Sequence, residues 1–538
     1  RVPSFLLLVL VAFYFYGLGR LPLVGPDEPR YAQVAREMLL RGDLITPTLG
    51  GHVWFEKPVL LYWLMIAAYK VFGVNEFAAR LGPALAGVLT ILAIFWLARK
   101  IEVAGADTVL TAFHIWSGIV TATMLGIIVF SRAASFDILV TMTTTWSLVF
   151  FVAAELDLQK RNRVVFLAAF YIFIGLSLLA KGLVGLLPLA VAFLFFVLRR
   201  RMPPRQVILS LVWGIPLALL VAAFWFGAVI VRNGAPFVQD FIVQHHFARY
   251  FSNKYHHPQP IYFYPVTLLP MTLPWTPFFL YAVAKVRDWS WRTEEPLEKV
   301  RVLSLIWILV PLVVFSFSGS KLPGYILPVL PPVALLTGEQ LSRFVSKGAS
   351  GGAAMRTTAL LCVVFAVGGF FYARQQQILS SGCVLAIAAP LLVVGLIAAI
   401  WKRYRTMGAL LIAGSTVLAM SVLLNCGVYK VAERESTAGL IEAANARGYE
   451  KLRIGELNTI DHTAEFYGSG RLLYGSDGEP KRFEGTNQVL EALPQNGGRI
   501  LILVPVDQVS ALTNLERTTT DLIGSNGKIA IVAVTLKR

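Results

Sequence analysis

The sequence predicts an α-helical polytopic membrane protein of about thirteen spans, followed by a small α/β domain on the outer face of the membrane. Three observations carry that prediction. Of 538 residues, 56% are hydrophobic and only 15% are charged, whereas a soluble domain carries roughly 25% charged residues. Apolar runs of membrane-crossing length recur as far as residue 430. Beyond it the composition shifts to alternating and short apolar segments separated by Gly, Asn, Asp and Pro.

The apolar runs lie at about 4–20, 81–98, 108–130, 138–156, 164–180, 184–198, 206–230, 262–284, 302–317, 325–341, 357–373, 383–401 and 407–427. No small-x-small cleavage site follows the first, which therefore reads as a retained signal-anchor. Basic clusters at Arg99-Lys100, Lys160 to Arg163, Arg199 to Arg205, Lys285 to Arg301, Arg343 to Arg356 and Lys402 to Arg405 fall on one side of this series. The alternate loops hold little basic charge, so the N-terminus is expected inside and the tail outside. The same bias explains the net charge of +17 and argues against a nucleic-acid partner, since the cations sit at the ends of spans.

Two outer loops are long, at about 20–80 and 231–261, within a membrane domain of residues 1–430. The first should hold a helix opening near Pro29, with Tyr31, Val34, Ala35, Met38 and Leu39 at helical spacing until Gly42. Leu60 to Phe72 is apolar but too short to span, and reads as interfacial. In residues 431–538, Lys451 to Leu457, Arg499 to Val506 and Lys528 to Leu536 read as strands. Ala438 to Arg447, Asn487 to Leu493 and Val506 to Leu515 read as the helices between them. No Gly-rich phosphate-binding pattern for a nucleotide occurs in the chain.

Charge beside a bilayer is costly unless it is used or paired. The first outer loop concentrates it in Asp27-Glu28-Pro29-Arg30-Tyr31 and Trp54-Phe55-Glu56-Lys57-Pro58. Asp27 and Glu28 suit glycosyl transfer, where a carboxylate acts as base or steadies an oxocarbenium-like transition state. They suit helix capping equally well. Asp137 is a further candidate acid, with an Arg132 ion pair or an N-cap as its structural alternatives. Arg30 and Lys57 suit phosphate, as a two-pronged donor and a point charge. Lys181 and Lys321, the latter in Ser320-Lys321-Leu322-Pro323-Gly324-Tyr325, add cations at the outer edge; each also suits snorkelling toward headgroups. Glu56 with His256 and His257 offers a zinc-like donor set without a specific spacing; a Glu56–Lys57 ion pair is its alternative.

These residues resemble the membrane glycosyltransferases of the GT-C class. The resemblance rests on Asp27 to Ala32 with Arg36-Glu37-Met38, Phe55 to Pro58 with Tyr62-Trp63, and Phe72 to Leu81. Within that class they most resemble the aminoarabinose transferases that modify lipid A. The resemblance implies a bacterial inner-membrane enzyme with a periplasmic outer face. It implies an undecaprenyl-phosphate-linked 4-amino-4-deoxy-L-arabinose donor and a phosphate of lipid A as acceptor, amid membrane lipids. Asp27 would be the key carboxylate, Lys57 and Arg30 would hold donor phosphate, and Tyr31 and Trp54 would line the cavity. The same fold moving another polyprenyl-linked sugar, such as mannose, is one alternative. A lipid transporter or flippase is another, but the distinctive charges lie at span ends and in outer loops rather than mid-membrane.

Overall fold

The computed structural model describes residues 2–104, 111–157, 162–248, 259–347, 351–376, 379–400 and 404–537. Among them, eight helices are long and apolar enough to cross a membrane, or nine if Phe113–Thr123 and Leu125–Ser131, bent by 60°, form one span. The chain is a multi-pass membrane protein. It divides into two compact units, one of residues 1–16, 56–61 and 82–423, the other of 17–55, 62–81 and 424–538.

Each of the thirteen expected apolar runs overlaps a helix among the described residues, but some of those helices are shorter or broken. The first run forms only the twelve-residue helix Val2–Phe13. The run at 262–284 splits into Phe263–Met271 and Thr276–Ala284, because Pro274 and Pro277 lack the amide protons a continuous helix needs. The run at 325–341 starts as a 3₁₀ segment, Pro323–Val329, before the helix Leu330–Lys347. Arg163–Lys181 and Leu187–Arg199 are separated by a 3₁₀ turn that opens at Gly182, whose φ of 63° ends the first helix. Phe196 and Arg200 line the same cavity as Leu167, so the two helices run antiparallel. Segment Arg205–Phe237 kinks at Gly234, whose φ of 59° interrupts the helix, and then leads into a π-helix, Val238–Ala248, where a loop was expected from about 231. Gly214 on this helix faces the Tyr171 ring at a distance that leaves no room for a Cβ, the close approach that small residues permit between membrane helices.

The second unit holds the helix Asp27–Arg41, closed by Gly42 in the left-handed conformation, and the short helix Leu60–Phe72 from Tyr62 onward. Its five-stranded sheet runs in the order Arg482–Phe483, Ile454–Leu457, Arg499–Pro505, Ile529–Leu536, Thr518–Ser525. The first three strands are parallel and the last two pair antiparallel to their neighbours. Alternate residues of Arg499–Pro505 feed two cores. Leu501 and Leu503 pack with Leu440 and Ile441 of helix Ala438–Ala446, while Ile502 and Val504 pack with Val489 and Leu493 of helix Thr486–Gln495. Helices therefore cover both faces, which explains the near-continuous apolar runs in the central strands.

One strand residue breaks that pattern. Glu456 is fully buried; its Oε1 accepts from the Asp461 amide at 2.7 Å, while Oε2 has no hydrogen-bond partner. Burial, reinforced by the nearby Asp461 and Glu465 carboxylates, pushes its pKa up to about 8. In the unfolded chain the group ionises near pH 4.5. Folding therefore loses stability as pH rises from about 4.5 through about 8, by about 5 kcal/mol in all. Residues 424–538 should resist proteolysis better at pH 5 than at pH 9, and Glu456→Gln should remove most of that difference. An unchanged difference in the variant would assign the pH dependence elsewhere.

Candidate active site

The two acids of the first island have different fates. Both lie in the first turn of Asp27–Arg41, where carboxylates are favoured by the helix dipole, and Pro26 supplies no side-chain cap. Glu28 is buried and meets Arg80 through both oxygens, Oε1 to Nε at 3.0 Å and Oε2 to Nη2 at 2.8 Å. It also accepts from the Val24 amide at 3.2 Å. The rest of the Arg80 fork donates to the carbonyls of Leu18 (3.0 Å), Leu21 (2.6 Å) and Pro22 (2.9 Å). All five guanidinium N–H groups are thereby used. Glu28, expected as a catalytic acid, is buried and paired with Arg80 at the start of the helix. Asp27 remains 54% exposed, with Arg30 Nη2 at 3.3 Å.

Arg30 is held from two sides. Its Nε donates to the Pro26 carbonyl at 2.7 Å, and its guanidinium carbon lies 5.4 Å from the centre of the Trp54 ring. Trp54 in turn is placed by the loop before it. The Glu37 carboxylate accepts from Thr48 Oγ1 (2.7 Å) and the amides of Gly50 (2.8 Å) and Gly51 (3.2 Å), and the Trp54 amide donates to Pro47 at 2.9 Å. Trp54 Nε1 is buried without a hydrogen-bond partner among the described residues. Tyr31, expected to line a cavity, is buried, with its ring edge-on to Tyr62. It points into the packing between helices because position 31 falls on the apolar stripe of its own helix. Glu37 and Arg80 organise this surface yet had no assigned role. The available signal was Arg80 in the opening turns of a long apolar helix.

In the other unit, Asp137 stands in the first turn of helix Phe136–Leu156, and the N-cap is Ser135, whose Oγ accepts from the Asp137 amide at 3.1 Å. The Asp137 carboxylate pairs with Lys181 at the end of Arg163–Lys181. Arg132, its alternative partner, donates instead to the carbonyls of Phe13 and Tyr16. Lys181 Nζ also lies 4.5 Å from the centre of the Tyr325 ring. Gly324 packs so tightly on Asp137 that no side chain fits there. Three segments distant in sequence thus converge as an acid, a cation and an aromatic. Lys321 has a separate placement, donating to the carbonyls of Gln259 (2.9 Å) and Ser318 (2.8 Å). Lys57 forms an ion pair with Glu56 at 2.6 Å, both side chains 14% exposed. Among the described residues no group of three or more His, Cys, Asp or Glu side chains could hold a metal ion. His256 and His257 lie outside the described residues.

Residues 4–231 match the family model of dolichyl-phosphate-mannose-protein mannosyltransferases. The fold matches the crystal structure of ArnT from Cupriavidus metallidurans bound to undecaprenyl phosphate, with TM-score 0.77 over 98% of this chain and 97% of that one, at 22% identity. That likeness shows the fold of this chain. Among curated relatives, the undecaprenyl phosphate-alpha-4-amino-4-deoxy-L-arabinose arabinosyl transferase of Pseudomonas aeruginosa (strain LESB58) is 32% identical over 349 residues. That alignment covers 64% of this chain and 61% of the relative. The protein of the same description from Aeromonas salmonicida (strain A449) is 31% identical over 353 residues, 64% of this chain and 60% of its own length. The match therefore spans about three fifths of each of these relatives.

Proposed function

We propose that this chain is an inner-membrane glycosyltransferase that moves 4-amino-4-deoxy-L-arabinose from undecaprenyl phosphate to a phosphate of lipid A. In this reading the N-terminus is cytoplasmic and residues 431–538 are a periplasmic domain, following the one-sided basic loops. The observation that carries the reading is the division of the acid pair. Glu28 is consumed by Arg80, and Asp27 is left exposed beside a guanidinium stacked on Trp54. The names of the relatives supply the sugar and its carrier.

In the reaction, an oxygen of the acceptor phosphate attacks the anomeric carbon as the bond from that carbon to the undecaprenyl phosphate oxygen breaks. The bonding pair leaves on the carrier phosphate, which gains one negative charge. Arg30 and Lys57 are the cations assigned to that phosphate, where a donor aimed at developing charge lowers the barrier most. The acceptor phosphate is already ionised at neutral pH and needs no strong base. Asp27 is thus assigned to orienting Arg30 and meeting the sugar's ammonium. Asp137 with Lys181 and Tyr325 is assigned to substrate contact.

The mannosyltransferase description of the matching family model favours mannose as the second reading. Purified protein in vesicles containing lipid A, offered undecaprenyl-phosphate-linked aminoarabinose or mannose, separates the two. Transfer of aminoarabinose alone is expected; transfer of mannose alone would replace the first reading with the second.

A further inference from the structure

A cavity of about 610 Å³ opens among the helices Phe136–Leu156, Arg163–Lys181, Leu187–Arg199 and Arg205–Phe237. Its wall is apolar, with Phe170, Phe193, Phe196, Ile208 and Leu211 among the lining residues, and no acidic side chain faces it. The only charged groups of the lining are Arg200 and Arg201, both at one end. It lies within the first unit and includes none of the residues assigned to transfer.

The arginines at that end are not equivalent. Arg199 donates to the Trp291 carbonyl at 3.1 Å and pairs with Glu294 at 3.2 Å. Arg201 donates to the Arg292 carbonyl at 2.6 Å and pairs with the same glutamate at 2.9 Å. Arg200 is exposed, and its side chain has no hydrogen bond or ion pair among the described residues. Its backbone is left-handed, φ 52° and ψ 44°, where it closes the helix Leu187–Arg199. Glycine takes that conformation without steric cost. An arginine here places a cation at the cavity mouth despite the strain.

The dimensions identify the occupant. Lining residues run from Leu189 to Arg200 along one helix, a rise of about 16 Å, which is the depth of one leaflet in a hydrocarbon core about 30 Å thick. The volume falls in the range of roughly 300–1,000 Å³ that holds a ligand. Arg200 also lies in the basic loop Arg199 to Arg205, and basic pockets between helices on that side suit anionic headgroups. We propose that the cavity seats an acyl chain of an anionic glycerophospholipid from the leaflet on the basic-loop side, with Arg200 at its phosphate. This site is distinct from the transfer site and stands independently of the sugar assigned above.

The test is native mass spectrometry of the full chain after incubation with equimolar phosphatidylglycerol and phosphatidylethanolamine of identical acyl chains. Wild type should retain phosphatidylglycerol in preference, by roughly fivefold for one cation near an anionic headgroup. Arg200→Gly should lose that preference without a lower thermal midpoint, because glycine suits the left-handed position. Ala192→Trp, which fills the cavity, should retain neither lipid. Equal retention of the two lipids by wild type, a preference that survives Arg200→Gly, or displacement of phosphatidylglycerol by undecaprenyl phosphate would each overturn the assignment.

Discussion

Asp27→Asn should lower sugar transfer by roughly 100- to 1,000-fold, the usual cost of removing a charged group that acts on the transition state. The fold should barely register the change. Asp27 is 54% exposed and its ion pair with Arg30 spans 3.3 Å, and exposed pairs contribute at most about 1 kcal/mol. Arg30 would also keep its hydrogen bond to Pro26 and its place over Trp54. The expected signature is therefore a collapse in turnover with an unchanged thermal midpoint in detergent. A variant that is folded and fully active would remove Asp27 from the reaction. A variant that is inactive because it unfolds would reduce Asp27 to a structural acid.

Glu28→Ala should give the opposite signature. It strips the partner from a guanidinium that is 4% exposed, and breaking a buried pair in this way costs about 3–5 kcal/mol. Little protein should accumulate in the membrane, and its thermal midpoint should be well below that of wild type. Arg80→Lys should fare almost as badly, because an ammonium has three donors where this site uses five. Replacing both residues by Met should recover most of the stability, since a packed apolar pair carries no desolvation cost. The decisive readout is turnover per folded molecule in Glu28→Gln. Near-wild-type turnover supports the anchoring role; loss of turnover in well-folded protein would return Glu28 to the chemistry.

These two predictions show where the sequence was legible and where it was not. The acid pair stands out because charge after a long apolar run is conspicuous. Which acid is exposed depends on Arg80, 52 residues further along, and no local pattern encodes that partner. Asp137 was visible for the same reason as Asp27. Its true partner, Lys181, comes from the far end of another helix, whereas the nearer Arg132 is drawn to backbone carbonyls. Periodicity placed Asp27–Arg41 and the central strands well. It was less informative around prolines, which turned the runs at 262–284 and 325–341 into shorter pieces. The edge strand Thr518–Ser525 escaped notice because Thr518, Thr519, Thr520 and Asp521 carry no apolar alternation. Its partner Ile529–Leu536 imposes the extended conformation through the pairing.

The most direct test of the central claim is the mass of lipid A from a strain that makes the aminoarabinose donor but lacks its own transferase. Expression of this chain should add an aminoarabinose-sized increment, and the Lys57→Ala variant, present in the membrane at the same level, should not. No increment with wild-type protein folded in the membrane and donor present would contradict the proposed reaction. An increment that survives in Lys57→Ala would leave the reaction standing and remove Lys57 from the donor phosphate.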